Sequence, residues 1–322
     1  MVHNHDDNVL ETNQIGQNRS RKMGALFSPR TVAKAIGVSE SSLKRWCDAG
    51  KIGGIKTAGG HRRFDRANIV EFLKANKYDL IDPVAIGLPS FESLAVENGP
   101  DGARQLLAAL LAADEAQVTK LLMYLVVNGW GIAEIFDEVV GPTFKEIGAM
   151  WARKEIDVFQ ERRGCEICLN AFRDVRSVML SPPEDAMTAI GCTIEGDHYM
   201  LPTLAVELTL TSQRWKASSL GSNLPMTSLL RAVQAQQPDL AWLSISNLND
   251  ADLVASQLNQ LCKEMPSKTT LVVGGYGVTP EFRSKIVNAI CCDNLMQLVA
   301  AIRNLKKHEV KSDGEEEQAP QN

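Results

Sequence analysis

The chain has 322 residues, a formal net charge of −5, 44% hydrophobic residues and 23% charged residues. That is the composition of a soluble globular protein long enough for two or three domains, each with its own core. No apolar run approaches the ~20 residues of a membrane span, and the polar N-terminus lacks a signal-peptide pattern, so the expected home is the cytoplasm. Seven cysteines at irregular spacing do not form a disulfide framework. Cys165 and Cys168 make a C-x-x-C, but no second such pair or paired histidines complete a zinc site, and core packing is the better reading. Five histidines, two of them in the N-terminal tail, supply little acid–base chemistry. With no Ser/His/acid set and no P-loop, no enzyme is expected.

Residues 1–24 are polar and are expected to be a disordered tail, whose Arg19, Arg21 and Lys22 could brush a DNA backbone. Residues 25–78 are the first predicted domain. Val32, Ala33 and Ile36 share one face of a short helix, and Gly37 makes a turn. Ser39 is a fitting N-cap for a second helix that turns Leu43 and Trp46 inward and leaves Lys44 and Arg45 outside. Gly50 ends it. Ile52 and Ile55 are strand-like, Thr57-Ala-Gly-Gly60 forms a tip, and His61-Arg62-Arg63 returns. This is a helix-turn-helix followed by a wing. The segment carries eleven Lys/Arg against four Asp/Glu, a net +7, which leaves −12 for the rest of the chain. A small basic module on an acidic protein is an electrostatic footprint for nucleic acid. The residues expected at double-stranded DNA are Ser41, Lys44, Arg45, Thr57, Gly59, Gly60, His61, Arg62 and Arg63.

The run Leu43-Lys-Arg-Trp, Gly50-Lys-Ile and Thr57-Ala-Gly-Gly-His-Arg-Arg-Phe64 resembles the winged helix-turn-helix of MerR-type transcription regulators. Modules of that type bind paired half-sites as dimers, so self-association is implied.

Pro83, Gly87, Pro89 and Asn98-Gly-Pro-Asp-Gly102 mark residues 79–102 as a linker. Residues 103–183 read as a four-helix bundle. Leu106, Leu107, Leu110 and Leu111 begin it, and Val118, Leu121, Leu122 and Leu125 form the next stripe. Gly129-Trp-Gly131 makes a break, and Ile135, Val139, Phe144, Ile147 and Trp151 continue the inward spacing. The last helix is expected from Val158 to Val178. Residues 184–308 then alternate four strands with helices, beginning with strand 189–194 and ending with helix 295–306, which predicts a flavodoxin-like, doubly wound parallel sheet. Residues 309–322 are an acidic tail expected to be disordered. The fold class is thus multidomain, α and α/β.

The order winged helix-turn-helix, bundle and flavodoxin-like sheet resembles the CarH-like light-responsive repressors, whose bundle and sheet sandwich a cobalamin. That family's bundle carries Trp, nine residues, then Glu-His; here Trp151 is followed at that spacing by Glu161 and Arg162. Its sheet carries Asp-x-His-x-x-Gly; here the segment is Asp197-His198-Tyr199-Met200-Leu201-Pro202, with Tyr199 in the cobalt-ligand place and His198 displaced by one. Ser244, Ser246, Gly274 and Gly275 occupy the places of the family's Ser-x-Leu and Gly-Gly, which border the nucleotide tail. The resemblance implies cobalamin as cofactor and His198 as the available metal ligand. The substitutions imply weakened or lost ligation, which an imidazole at residue 199 is the change to restore. A true adenosylcobalamin light sensor, a sensor of another planar ligand, and a ligand-free oligomerisation scaffold are the alternatives.

Overall fold

A computed structural model describes residues 25–315; the expected N-terminal tail lies outside these residues, as do residues 316–322. The first helices are short and sharply capped. In α1 (Pro29–Ala35) the Ser28 hydroxyl accepts the Thr31 N–H, and in α2 (Glu40–Asp48) the Ser39 hydroxyl accepts that of Ser42. Strands β1 (Ile55–Lys56) and β2 (Arg62–Arg63) pair antiparallel as the wing, with Ile55 opposite Arg63. Helix α3 (Arg66–Asn76), capped by Asp65, closes the module over Val32, Leu43, Ile52 and Phe64, all buried.

The segment expected to be a linker is packed rather than loose. Pro83–Ile86 forms a 3-10 turn against α1, and Ile86 and Leu88 are buried. Asn98 is an N-cap, so Gly99-Pro-Asp-Gly102, read as loop, is the first turn of α4 (Gly99–Leu111). Pro at the start of a helix lacks only an N–H that has no partner there anyway. Helices α4, α5 (Glu115–Val127), α7 (Gly141–Ala152) and α8 (Val158–Arg176) make the four-helix bundle. A short α6 (Ile132–Glu134) and a π-helical stretch, Ile135–Val140, lead into α7. Phe136 in that stretch stacks on Phe172 of α8, ring centroids 4.2 Å apart. One buried hydrophobic cluster runs from Val32 through the bundle to Leu208, joining the winged module to the elements behind it.

The C-terminal part is a five-stranded parallel sheet in the order β4-β3-β5-β6-β7, formed by β3 (Thr188–Thr193), β4 (Lys216–Ser219), β5 (Leu240–Ser244), β6 (Thr270–Gly274) and β7 (Ile290–Cys292). Helices α9 (Met200–Ser212) and α13 (Leu295–Glu315) lie on one face. Helices α10 (Met226–Gln236), α11 (Ala251–Glu264) and α12 (Pro280–Arg283) lie on the other. This is the doubly wound arrangement expected from the alternating pattern. Strand β7 was not foreseen; it is three residues long and contains the adjacent cysteines. Helix α13 runs beyond the expected end at Lys306, so residues 309–315 of the expected disordered tail are helical.

Trp151 is a correction to the bundle stripe. It was expected to face inward but is 56% exposed in the last turn of α7. There α7 ends before the turn into α8, and the ring borders a surface cleft of about 430 Å³ formed with Lys154, Ile156, Val158 and Gln160.

Candidate functional site

Helix α2 and the wing form one exposed cationic surface. Ser41, Lys44 and Arg45 are exposed on α2. Lys44 is held by Glu40 one turn earlier, 2.7 Å away. The wing tip is a tight turn: the Gly60 N–H donates to the Thr57 carbonyl at 2.8 Å, the Thr57 N–H to the His61 carbonyl at 2.9 Å, and the His61 N–H to the Thr57 hydroxyl at 3.2 Å. Gly60 has φ +76°, a left-handed conformation that favours glycine. Gly59, Gly60 and His61 are exposed.

The two wing arginines do different things. The Arg62 guanidinium forms an ion pair with Asp48, at the end of α2, and so fixes the wing against that helix. Arg63 donates to the Arg62 carbonyl at 3.1 Å and keeps the rest of its guanidinium for other partners. Lys51 and Lys56, absent from the residues expected at DNA, are also exposed and lie in sequence between α2 and the wing tip. The signal was available in their position on either side of Ile52 and Ile55.

The second set of residues meets where the bundle overhangs the carboxyl ends of the strands. Arg162 of α8 stacks over the Tyr199 ring, 5.3 Å from its centroid. Glu161 lies 3.6 Å from the Arg162 guanidinium and accepts from the Cys165 thiol at 3.8 Å. Burial, helped by Glu161, pushes that thiol up to about 12, so it is not a thiolate at neutral pH. Burial also raises the Tyr199 phenol, again with Glu161 contributing and with Arg162 opposing.

Beneath Tyr199 sits Asp197, 1% exposed. Its carboxylate accepts the Tyr199 N–H at 3.0 Å and the Ser246 N–H at 2.6 Å. Its carbonyl accepts the Thr193 hydroxyl at 2.5 Å and the Asn223 N–H at 2.9 Å. The loops after β3, β4 and β5 are thereby tied together. His198 is exposed beside this knot, and Met200 is 41% exposed. Ser244 ends β5 and is buried, while the buried Ser246 hydroxyl has no protein partner. Gly275 has φ +113°, and a Cβ there would lie 2.3 Å from the Ile245 carbonyl oxygen, so backbone meets backbone. The structure therefore brings Arg162, Glu161, Asp197, Tyr199 and Ser246 together. Trp151 lies instead in the cleft with Val158 and Gln160. Among the described residues no group of three or more His, Cys, Asp or Glu could hold a metal ion.

The chain joins a winged helix-turn-helix to a cobalamin-binding-like bundle and doubly wound sheet, the organisation of a DNA-binding regulator. A helix-turn-helix domain matches residues 26–77, and a B12 binding domain matches residues 103–175. The chain is 26% identical over 268 residues to the HTH-type transcriptional repressor CarH of Myxococcus xanthus, covering 76% of this chain and 86% of that protein. The HTH-type transcriptional repressor CarA of the same organism is 24% identical over 146 residues, 44% of this chain and 47% of the relative. The monomethylamine corrinoid protein of Methanosarcina barkeri superposes with a TM-score of 0.55 at 16% identity, covering 64% of this chain and 99% of that one, a likeness of fold.

Proposed function

We propose that the protein is a MerR-type regulator that binds double-stranded operator DNA through α2 and the wing, as at least a dimer, without enzymatic activity. The carrying observation is the exposed cations Lys44, Arg45, Lys51 and Lys56, with the exposed His61 ring beside them, on a module of net +7 with a hydrophobic cluster continuous into the bundle behind it. Ser41, Lys44 and Arg45 read the major groove in this proposal. Thr57, Gly59, Gly60, His61 and Arg63 follow the phosphates, and Arg62 orients the wing. The winged module is small and no coiled coil follows it, so self-association falls to the bundle and sheet.

The bundle and sheet are a sensory and oligomerisation region with weakened or lost cobalamin ligation. The donor set supports this. A guanidinium and a phenol raised by burial stand where the family resemblance calls for two imidazoles, and neither is a good cobalt donor at neutral pH. The two side chains also stack on one another, so each is already the other's partner where the resemblance places the two cobalt donors. The test is an absorption titration of the protein with adenosylcobalamin, in the dark and after light. The expected result is weak or no uptake and no stable light-formed adduct. Tight uptake with an imidazole-ligated spectrum that disappears in His198→Ala would assign the ligand to His198 and overturn the reading.

A further inference from the structure

We infer that the crevice of the sheet is plugged by Trp242, so that it takes no corrinoid bearing a nucleotide tail, and that an imidazole at residue 199 alone does not open it. This rests on reading the bundle and sheet as a region of B12-binding type. In a doubly wound parallel sheet a ligand enters where the strand order reverses, outside the carboxyl ends of the strands. With the order β4-β3-β5-β6-β7, that point lies between β3 and β5. Residues 240, 242 and 244 of β5 share one face, because side chains alternate along a strand. It is the face covered by α9 and α13, where Leu240 and Trp242 pack with Leu210 and Leu298. A flat group lying beside Ser244 between the sheet and α9 therefore meets Trp242 next.

Trp242 leaves that group no room. It is 1% exposed. Its indole lies across the neighbouring strand at Gly191, where an added Cβ would come within 2.1 Å of the ring. The indole N–H donates to the Thr203 hydroxyl of α9 at 3.0 Å, and Thr203 in turn lies 3.2 Å from the Ser219 hydroxyl at the end of β4. The side chain is thus packed against β3, α9 and α13 and hydrogen-bonded to α9, and its polar atom needs no ligand. An indole is a bicycle nearly as large as the dimethylbenzimidazole of cobalamin, so the ring occupies most of the volume that such a base requires. Above it, Asp197 bridges the β3 and β5 loops through the Ser246 N–H, and Arg162 caps Tyr199. The unpartnered Ser246 hydroxyl asks for no more than a water molecule.

The test titrates full-length protein with hydroxocobalamin and with aquocobinamide, which lacks the nucleotide tail, following the absorption spectrum. Tyr199→His is expected to bind aquocobinamide at least tenfold more tightly than hydroxocobalamin. Adding Trp242→Ala is expected to raise hydroxocobalamin affinity at least tenfold and to change aquocobinamide much less. Trp242→Val, which keeps a strand-favouring side chain, replaces the alanine variant if the latter loses its far-ultraviolet dichroism. Equal binding of the two corrinoids by Tyr199→His, or no gain in a folded double variant, overturns the plug. Tight hydroxocobalamin binding by the unmodified protein instead overturns the proposed loss of ligation on which the plug rests.

Discussion

The two ends of the molecule treat their polar groups in opposite ways. On α2 and the wing, Arg45, Lys51, Lys56 and His61 stand in solvent, and the hydrogen bonds of the tip shape the backbone rather than occupy those side chains. At the carboxyl ends of the sheet strands, Asp197 is spent on two backbone N–H groups, Trp242 on Thr203, and Arg162 on Tyr199. Solvated cations cost little to leave open and gain charge-assisted bonds when phosphates arrive. Buried polar groups left open cost about 1–3 kcal/mol each, so a crevice without a ligand is stable when the protein satisfies nearly all of them itself, as here with the Ser246 hydroxyl excepted. The wing has the form of a surface awaiting a partner, and the crevice that of one already filled from within.

The largest expected effect breaks the second half of this contrast. If Trp242 is packing rather than the vestige of a ligand site, Trp242→Ala lowers unfolding free energy by about 3–5 kcal/mol, as deletion of a buried aromatic does. Chemical denaturation measures it. A loss below about 1 kcal/mol would mean that the indole lies in a loose cavity and that the crevice is open.

The next effect sharpens the first half. Arg63→Ala is expected to weaken operator binding by about 1–3 kcal/mol across sequences and to lower the slope of log K against log salt by roughly one, the signature of a lost phosphate contact. Arg62→Ala is expected to weaken binding through wing placement, because Arg62 is committed to Asp48. Fluorescence anisotropy at several salt concentrations separates the two. Unchanged affinity and slope in Arg63→Ala would remove the wing from the interface.

The part of the site legible in the sequence was the part made of local pattern. Ser39 as a cap, Leu43 as an inward residue and the glycine-rich tip follow from spacing within a dozen residues, and so does the alternation of strands and helices. Pairing across the chain was hidden. Nothing near Arg62 announces Asp48, and nothing near Tyr199 announces that Arg162 stacks on it. Trp242 had a faint signal: Gly191 lies inside a predicted strand, and glycine in a strand often marks the close approach of another group. Strand β7 was hidden because three residues are too few to show a period of two. Trp151 was misplaced because helical spacing continued past the point where the bundle stops covering it.

The smallest effect tests the joint between the two halves. Asp137 lies in the π-helical stretch of the bundle, and its carboxylate accepts the Leu295 and Met296 N–H groups at 3.0 and 2.9 Å, capping α13 of the sheet domain across the interface. Asp137→Ala is expected to cost about 1 kcal/mol, the usual loss for an N-cap. Burial holds this carboxyl above its ordinary range despite the two bonds, which act in the other direction. A raised folded pKa means the folded state binds this proton more readily than the unfolded chain. The stability Asp137 contributes is therefore full below the ordinary carboxylate range near about pH 4, is lost as pH rises through the raised folded pKa, and is constant above it. Asp137→Asn keeps a neutral acceptor at every pH and removes that decline, at a cost under about 1 kcal/mol for the one acceptor oxygen that an amide lacks. Denaturant unfolding of the wild type and of Asp137→Asn from pH 4 to 7 should show the difference between them changing over the lower part of the range and flat at its top. Parallel curves throughout would mean that Asp137 is as solvated as the wing cations and that the joint, like the wing, is open.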